Sequence, residues 1–118
     1  MSGKNNKYQL RGRFWIIIGH KTIIGEGRAN LLKKTAELGS LRKASLELGM
    51  SYRQAWYSLN QMNKASEKPV ITLHRGGKNG GIALITEFGI EILNIFEKSQ
   101  HEFEKFLENQ TAMLINYS

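Results

Sequence analysis

The sequence of 118 residues contains no cysteine, which excludes disulfide bonds, thiolate metal sites and cysteine nucleophiles. It also lacks aspartate, and its three histidines, His20, His74 and His101, fall on three different predicted elements. More than half of the glutamates lie in the last predicted helix. Because the histidines are scattered and most of the acids lie on one helix, we expect no hydrolytic or metal-dependent site, no cofactor and no enzyme activity.

Long apolar runs are missing as well. The longest, Phe14 to Ile18, is far too short to span a bilayer, and the opening MSGKNNK lacks the apolar segment of a secretory signal. We therefore expect a cytoplasmic protein. The length and the 41% of hydrophobic residues fit one compact domain.

The positive charge is concentrated in one part of the chain. The net charge of +7 divides into +11 for residues 1–85 (15 Lys and Arg against 4 Glu) and −4 for residues 86–118 (2 against 6). A basic body joined to an acidic final segment indicates a polyanion-binding face and a separate segment with another task. Charge alone fits a solvated basic surface equally well.

The first part of the chain predicts a hairpin and two short helices. Strand-forming residues surround a tight turn at Gly19 and His20. Apolar residues at helical spacing follow, with glycine and serine at the ends of the helical segments. The predicted elements are strands at 14–18 and 22–24 and helices at 28–38 and 41–48, which end at Gly39 and Gly49, with Ser40 capping the second.

A third helix, residues 51–65 with Ser51 as its cap, has two unlike faces. At about 100° per residue, an inward arc contains Ala55, Trp56, Leu59, Met62 and Asn63. The opposite arc contains Arg53, Tyr57, Asn60, Gln61 and Lys64, with Gln54 at its edge and Tyr52 near the boundary. An ordinary surface helix would have Glu and Lys here, so hydrogen-bonding and aromatic side chains indicate a recognition surface.

The rest of the chain predicts a second hairpin and a long helix. Two strands, VITLH and IALI, are joined by the glycine-rich RGGKNGG, and the tip of this hairpin, residues 74–81, is the predicted wing. Thr86 can cap a last helix at 87–108. The helix has an aromatic-rich apolar stripe that so small a body cannot cover alone.

Helix, sharp turn, helix and hairpin in this order predict a winged helix-turn-helix, an α+β and mainly helical fold that presents its third helix to the DNA major groove. A generic small α+β core is the alternative. Arg53 could bond bidentately to guanine, and Gln54, Asn60 or Gln61 could read adenine. Ser51 and the first amides of the helix suit a phosphate, and Tyr57 could bind a phosphate or a thymine methyl.

Wing residues could follow the DNA backbone or enter a minor groove. The predicted DNA-binding residues are Ser51, Tyr52, Arg53, Gln54, Tyr57, Asn60, Gln61, Lys64, Arg75, Lys78 and Asn79.

The segments GEGRANLLKKTAELGSLRKASLELGMSYRQAWYSLNQMNKAS, RGGKNGG and LITEFG together resemble the N-terminal DNA-binding domain of the molybdate-dependent transcriptional regulators (ModE). GMSYRQAW is the most specific part, and a more distant similarity extends to the winged helices of LysR-type regulators. The resemblance covers about residues 10–108. It departs from the family at Ile82, where the family wing tends to have a further glycine.

The resemblance implies a homodimeric, sequence-specific transcriptional regulator that pairs through its last helix, at Ile92, Phe96, Phe103 and Leu107. It also implies that Ser51, Tyr52 and Arg53 correspond to the serine, tyrosine and cation of the family's recognition helix. The expected organisation is a flexible N-terminus at 1–9, a DNA-binding domain at 10–86, a dimerisation helix at 87–108 and a tail at 109–118. Full-length members add an oxyanion-binding region, so molybdate sensing is not carried over to this chain.

Two other functions remain open. The chain could be an interaction module that keeps the fold and binds a protein through its acidic helix and tail. It could also bind DNA or RNA without sequence preference.

Overall fold

The computed structural model describes residues 7–75 and 81–114. Their elements are, in order, β1 (Ile16–Ile18), β2 (Lys21–Ile24), α1 (Glu26–Leu38), α2 (Leu41–Leu48), α3 (Tyr52–Ala65), β3 (Ile71–His74), β4 (Ile82–Ile85) and α4 (Glu87–Met113). The helices and two antiparallel hairpins confirm the predicted α+β, mainly helical class. Trp15–Phe96 forms one compact unit, and the described residues 7–14 and 97–114 form a second. Within the described ranges, no helix is long and apolar enough to cross a membrane.

The first hairpin is short and slightly irregular. Ile17 pairs with Thr22 and Ile18 with Lys21, and the register shifts at the start of β1. Gly19 has a φ of 61°, which is the left-handed region that glycine reaches without strain. The predicted tight turn is confirmed.

Glycine and serine set the boundaries of the first three helices. Gly39 and Gly49 have φ values of 66° and 68° and end α1 and α2 as predicted. The hydroxyl of Ser40 accepts a hydrogen bond from the Lys43 N–H at 3.1 Å, which caps α2 at its predicted first turn. α1 begins at Glu26, somewhat earlier than the apolar spacing predicted.

The core of the larger unit lies between these helices and the hairpins. Ala44 of α2 and Ala55 of α3 have no exposed surface, and their small side chains let the two helices approach closely, as predicted for Ala44. Each large side chain buried around them contributes about 1.5–3 kcal/mol relative to an exposed position. The largest of these are Phe96, Ile24, Leu31, Leu32, Leu59, Met62, Ile71 and Val70.

An asparagine attaches α3 to the second hairpin, whose strands β3 and β4 pair in register. The Asn63 Oδ1 accepts hydrogen bonds from the N–H groups of Val70 at 2.8 Å and Ile71 at 3.3 Å. Its Nδ2 donates to the Ile71 carbonyl at 2.9 Å. The one polar residue predicted on the inward arc of α3 is therefore a bridge to β3.

The last helix begins where predicted and ends later. The Thr86 hydroxyl accepts a hydrogen bond from the Gly89 N–H at 2.9 Å, which confirms Thr86 as the cap. α4 extends to Met113, beyond the predicted end at Glu108. The added residues, NQTAM, contain no glycine or proline that would stop a helix.

In the smaller unit, the chain before β1 packs on the last part of α4. The Phe14 ring meets Phe103 edge to face at 5.4 Å, and Phe103 stacks on Phe106 at 6.3 Å. The Leu10 N–H donates to the Thr111 hydroxyl at 2.9 Å. This unit therefore has its own small aromatic cluster.

Candidate nucleic-acid interface

The outward face of α3 is polar, aromatic and accessible. No acidic residue occurs in α3, and Tyr57 exposes 61% of its surface. A helix face without acidic side chains can approach a polyanion without like-charge repulsion. The exposed predicted residues are Ser51, Tyr52, Arg53, Gln54, Tyr57 and Lys64, and Asn60 and Gln61 are half-buried.

Ser51 and Gln54 form a reciprocal cap at the start of α3. The Ser51 hydroxyl accepts a hydrogen bond from the Gln54 N–H at 3.0 Å, and the Gln54 Oε1 accepts one from the Ser51 N–H at 3.3 Å. This capping box stabilises the first turn of the helix. Gln54 was predicted as a base-reading residue, and the structure gives its side-chain oxygen a capping task that the sequence analysis missed.

Trp56 does not lie in the core, contrary to its predicted place on the inward arc. It exposes 45% of its surface. Ala55, Leu59 and Met62 occupy the centre of the buried face, and Trp56 lies about 100° around the axis from Ala55. Its indole therefore borders the outward face.

A basic cleft of about 630 Å³ lies between α2, the start of α3 and the second hairpin, and we call it the wing cleft. Its lining includes three arginines, one each from α2, α3 and the residue after β3, and the rings of Tyr52 and Trp56. These arginines are Arg42, Arg53 and Arg75. The Arg42 guanidinium lies over the Tyr52 ring, 5.5 Å from its centroid, and sequence analysis had not singled Arg42 out.

Two residues at the start of the predicted wing, His74 and Arg75, are among the described residues. Arg75 is exposed, at the end of β3, where it reaches the wing cleft. The Thr72 hydroxyl lies 3.1 Å from the Nε2 of His74, the last residue of the strand. The predicted contacts Lys78 and Asn79 lie outside the described residues.

A second basic cleft, of about 400 Å³, lies between β2, the start of α1 and the last turns of α3. We call it the β2 cleft. Its lining residues are Lys21, Thr22, Arg28, Gln61, Lys64 and Ala65. Gln61 and Lys64 belong to the predicted site, whereas Lys21 and Arg28 were missed because no local motif connects them to α3.

Of the predicted dimer residues, Phe96 is buried. It exposes 1% of its surface and belongs to the core of the larger unit, so its ring is not free to contact a second chain. Ile92, Phe103 and Leu107 are half-buried. The exposed apolar residues of α4 are instead Ile90, Ile95, Phe106 and Met113.

One lysine of α1 is paired with two carboxylates. Lys34 of α1 lies 3.4 Å from Glu47 of α2 and 3.5 Å from Glu37, and a hydrogen bond to Glu47 and the charges of both glutamates raise the pKa of the Lys34 ammonium. Across the part of the chain that the structure describes, no group of three or more acidic or histidine side chains could hold a metal ion.

Helix, sharp glycine turn, exposed helix and β-hairpin define a winged helix-turn-helix-like protein. The ModE regulator of Escherichia coli (strain K12), named a DNA-binding transcriptional dual regulator, is 36% identical over 92 residues, which cover 75% of this chain and 35% of that protein. The Haemophilus influenzae ModE regulator is 32% identical over 90 residues, covering 74% of the chain and 35% of that protein. The molybdenum transport protein ModE of Azotobacter vinelandii is 26% identical over 93 residues, covering 79% and 34%.

These relatives confirm the resemblance: the chain belongs to the ModE N-terminal DNA-binding domain family. It spans about a third of the length of the curated relatives it matches. No family model matches the sequence.

Proposed function

We propose that the chain is a sequence-specific, DNA-binding transcriptional regulator that acts as a homodimer in the cytoplasm. The observation that carries the proposal is the exposed, acid-free face of α3, which stands beside a cleft lined by three arginines. An α-helix is about 10–12 Å wide with its side chains, which matches the roughly 12 Å width of the major groove.

The residues divide by task in this proposal. Arg53 enters the groove and bonds to guanine, while the partly buried amides of Asn60 and Gln61 contact bases near the middle of the helix. Arg42 and Arg75, on either side of the wing cleft, hold the sugar–phosphate backbone. Ser51 presents the first amides of α3 to a phosphate. Tyr52, fixed under the Arg42 guanidinium, supports the same contact.

The last helix provides the dimer interface in this proposal. We propose that residues 10–86 bind DNA, that residues 87–108 pair the subunits, and that the tail continues from 109. Ile92, Phe103 and Leu107 remain the proposed interface, and exposed Ile95 and Phe106 extend it. The printed name of the Azotobacter vinelandii relative refers to molybdenum transport, but no cofactor is part of this proposal, because its contacts require only side chains and backbone amides.

The proposal is tested by fluorescence anisotropy with a labelled duplex over a range of salt concentrations. Affinity should fall steeply, with a slope near 0.9 log units per log unit of salt for each phosphate neutralised. A specific operator should bind about 10³-fold or more tightly than random duplex. Equal affinity for every duplex and for RNA would support a non-specific nucleic-acid-binding protein instead.

The double variant Arg53→Ala, Tyr57→Ala tests the surface itself. Both residues are exposed, so the fold should survive, and operator affinity should fall at least about 100-fold if one bidentate contact is worth about 1–3 kcal/mol and the ring adds to it. Lys98→Ala, which removes a cation from α4, is the control and should change affinity little. If wild type binds no duplex even at low salt but captures a protein through α4, the interaction-module alternative holds.

A further inference from the structure

The β2 cleft is a second positive surface at the far end of α3. Lys21 comes from β2, Arg28 from α1 and Lys64 from α3, so residues far apart in sequence bring three cations to one concavity. None of the six described residues that line the cleft is acidic. The electrostatic potential in such a cleft favours an anion.

The cations of this cleft differ from Lys34 of α1, which is paired with two glutamates. Within residues 7–75 and 81–114, neither Lys21 nor Lys64 has a carboxylate within ion-pair distance, and both are exposed. Arg28 is half-buried, and its Nη1 donates to the carbonyls of Thr22 at 2.7 Å and Ile23 at 3.3 Å. These bonds hold its positive charge in place at the base of the cleft.

The two clefts lie on opposite sides of the exposed face of α3. Trp56 borders the wing cleft and Gln61 the β2 cleft, and these residues are about 140° apart around the axis at about 100° per residue. Along the axis, Arg53 and Lys64 are separated by about 17 Å at about 1.5 Å per residue. The outward face of α3 is therefore a ridge with a basic cleft on each side.

This arrangement matches the two borders of a major groove. A helix that fills a groove roughly 12 Å wide has one sugar–phosphate backbone on each side. The wing cleft can meet only one of these two backbones. The other must pass the opposite side of the ridge, where Lys21 and Lys64 are exposed.

We propose that the β2 cleft binds phosphodiester groups of the DNA strand opposite to the one held at the wing cleft. Lys21 and Lys64 make the contacts, and Arg28 positions the cleft through its bonds to the β2 backbone. This inference rests on the proposed function and adds a phosphate site on an element that precedes the helix-turn-helix. Phosphate contacts position a protein without reading sequence, so the cleft should add affinity but no base preference.

The test is the salt dependence of duplex binding by Lys21→Ala, Lys64→Ala and the double variant. Each lost phosphate contact should lower the salt slope by about 0.9, so the double variant should lose about 1.8 in slope while its preference for operator over random duplex stays unchanged. Lys98→Ala, which removes one positive charge outside the cleft, is the charge-matched control for each single variant. A double variant with the slope of the control would overturn the proposal.

Phosphate ethylation interference locates the contact on the DNA. With wild type, ethylated phosphates should block binding on both strands of each half-site, and in the Lys21→Ala, Lys64→Ala variant the interference should disappear on one strand of each half-site only. Interference that is unchanged, or that weakens equally on both strands of a half-site, would contradict the assignment. If the double Lys variant binds normally while Arg53→Ala, Tyr57→Ala fails, this inference is wrong and the proposed function stands. If wild type itself fails to bind duplex, both are wrong.

Discussion

Helices α2 and α3 begin with the same kind of cap in different surroundings. In each, a serine hydroxyl accepts a hydrogen bond from an N–H three residues later, at 3.1 Å for Ser40 and 3.0 Å for Ser51. The Ser40 cap is buried, whereas the Ser51 cap is exposed. Equal local chemistry has therefore produced one helix whose cap is buried and one whose cap lies at the surface.

The two helices also differ in acidic residues, which α2 contains and α3 lacks. Glu47 of α2 is paired with Lys34, as expected for an ordinary solvated surface. α3 has no acidic residue with which to pair its cations. The comparison distinguishes the proposed DNA-binding surface by its missing counter-charges and not by its number of positive residues.

The largest expected effect on duplex affinity comes from a new carboxylate on α3, compared with one on α2. Tyr57→Glu and Leu46→Glu replace exposed residues of α3 and α2, which have 61% and 75% of their surfaces accessible. Tyr57→Glu should weaken duplex binding at least about 100-fold, a loss near 2.7 kcal/mol at about 1.4 kcal/mol per tenfold, because its charge faces phosphates. Leu46→Glu should weaken it less than about threefold, or less than about 0.7 kcal/mol. Equal losses in anisotropy titrations would remove the distinction between the helices.

A second test separates the two faces of α3 itself. Asn63→Leu removes the bonds to Val70 and Ile71 and leaves backbone N–H groups unpaired, each worth about 1–3 kcal/mol if buried. Its melting temperature should fall by several degrees or more, at about 4–8 °C per kcal/mol. Asn60→Leu should melt close to wild type and lose DNA affinity. Calorimetry that shows the reverse order would mean that the faces are wrongly assigned.

A third and smaller expected effect is the loss of stability when the cap of α3 is removed. Ser51→Ala should cost about 1 kcal/mol of stability, and Ser51→Asp and Ser51→Asn should largely restore it, because both side chains cap helices well. If the first turn of α3 meets a phosphate, Ser51→Asp should still bind DNA poorly while Ser51→Asn binds well. Identical affinities for these two variants would place the phosphate elsewhere.

The smallest effect concerns the paired charge outside the proposed interface. Lys34→Met should leave DNA binding unchanged and lower stability only slightly. Because Glu47 raises the folded-state pKa of Lys34 above 10.5, the contribution of the pair is present below that pH and is lost as the pH rises through the folded-state pKa. The melting-temperature difference between wild type and Lys34→Met should therefore shrink at strongly alkaline pH. A difference that grows there would contradict the ion pair.

Many helix boundaries of the fold could be predicted from short stretches of sequence. Gly39 and Gly49 could be assigned as helix ends, and Ser40 and Ser51 as caps, because a left-handed residue and a side chain that bonds three residues ahead depend only on neighbours. Thr86 belongs to the same group. Each of these predictions is confirmed.

The packing of side chains against residues that are distant in sequence was harder to predict. Trp56 and Phe96 both lie on apolar arcs, yet Trp56 is about half exposed and Phe96 is in the core. Helical spacing gives the direction of a side chain but does not tell whether other elements cover it. The β2 cleft was missed for a related reason. Lys21 and Arg28 meet Lys64 only through the packing of the first hairpin against α3, which no spacing rule reports.

The most direct measurement is selection of bound sequences from a pool of random duplexes, carried out in parallel with wild type and with the Arg53→Ala, Tyr57→Ala variant. A helix that reads bases from each of two paired subunits should enrich a palindrome with half-sites about 34–36 Å apart, and the variant should lose this enrichment. A pool that stays random with wild type, or the same motif recovered by both proteins, would contradict base reading by the outward face of α3.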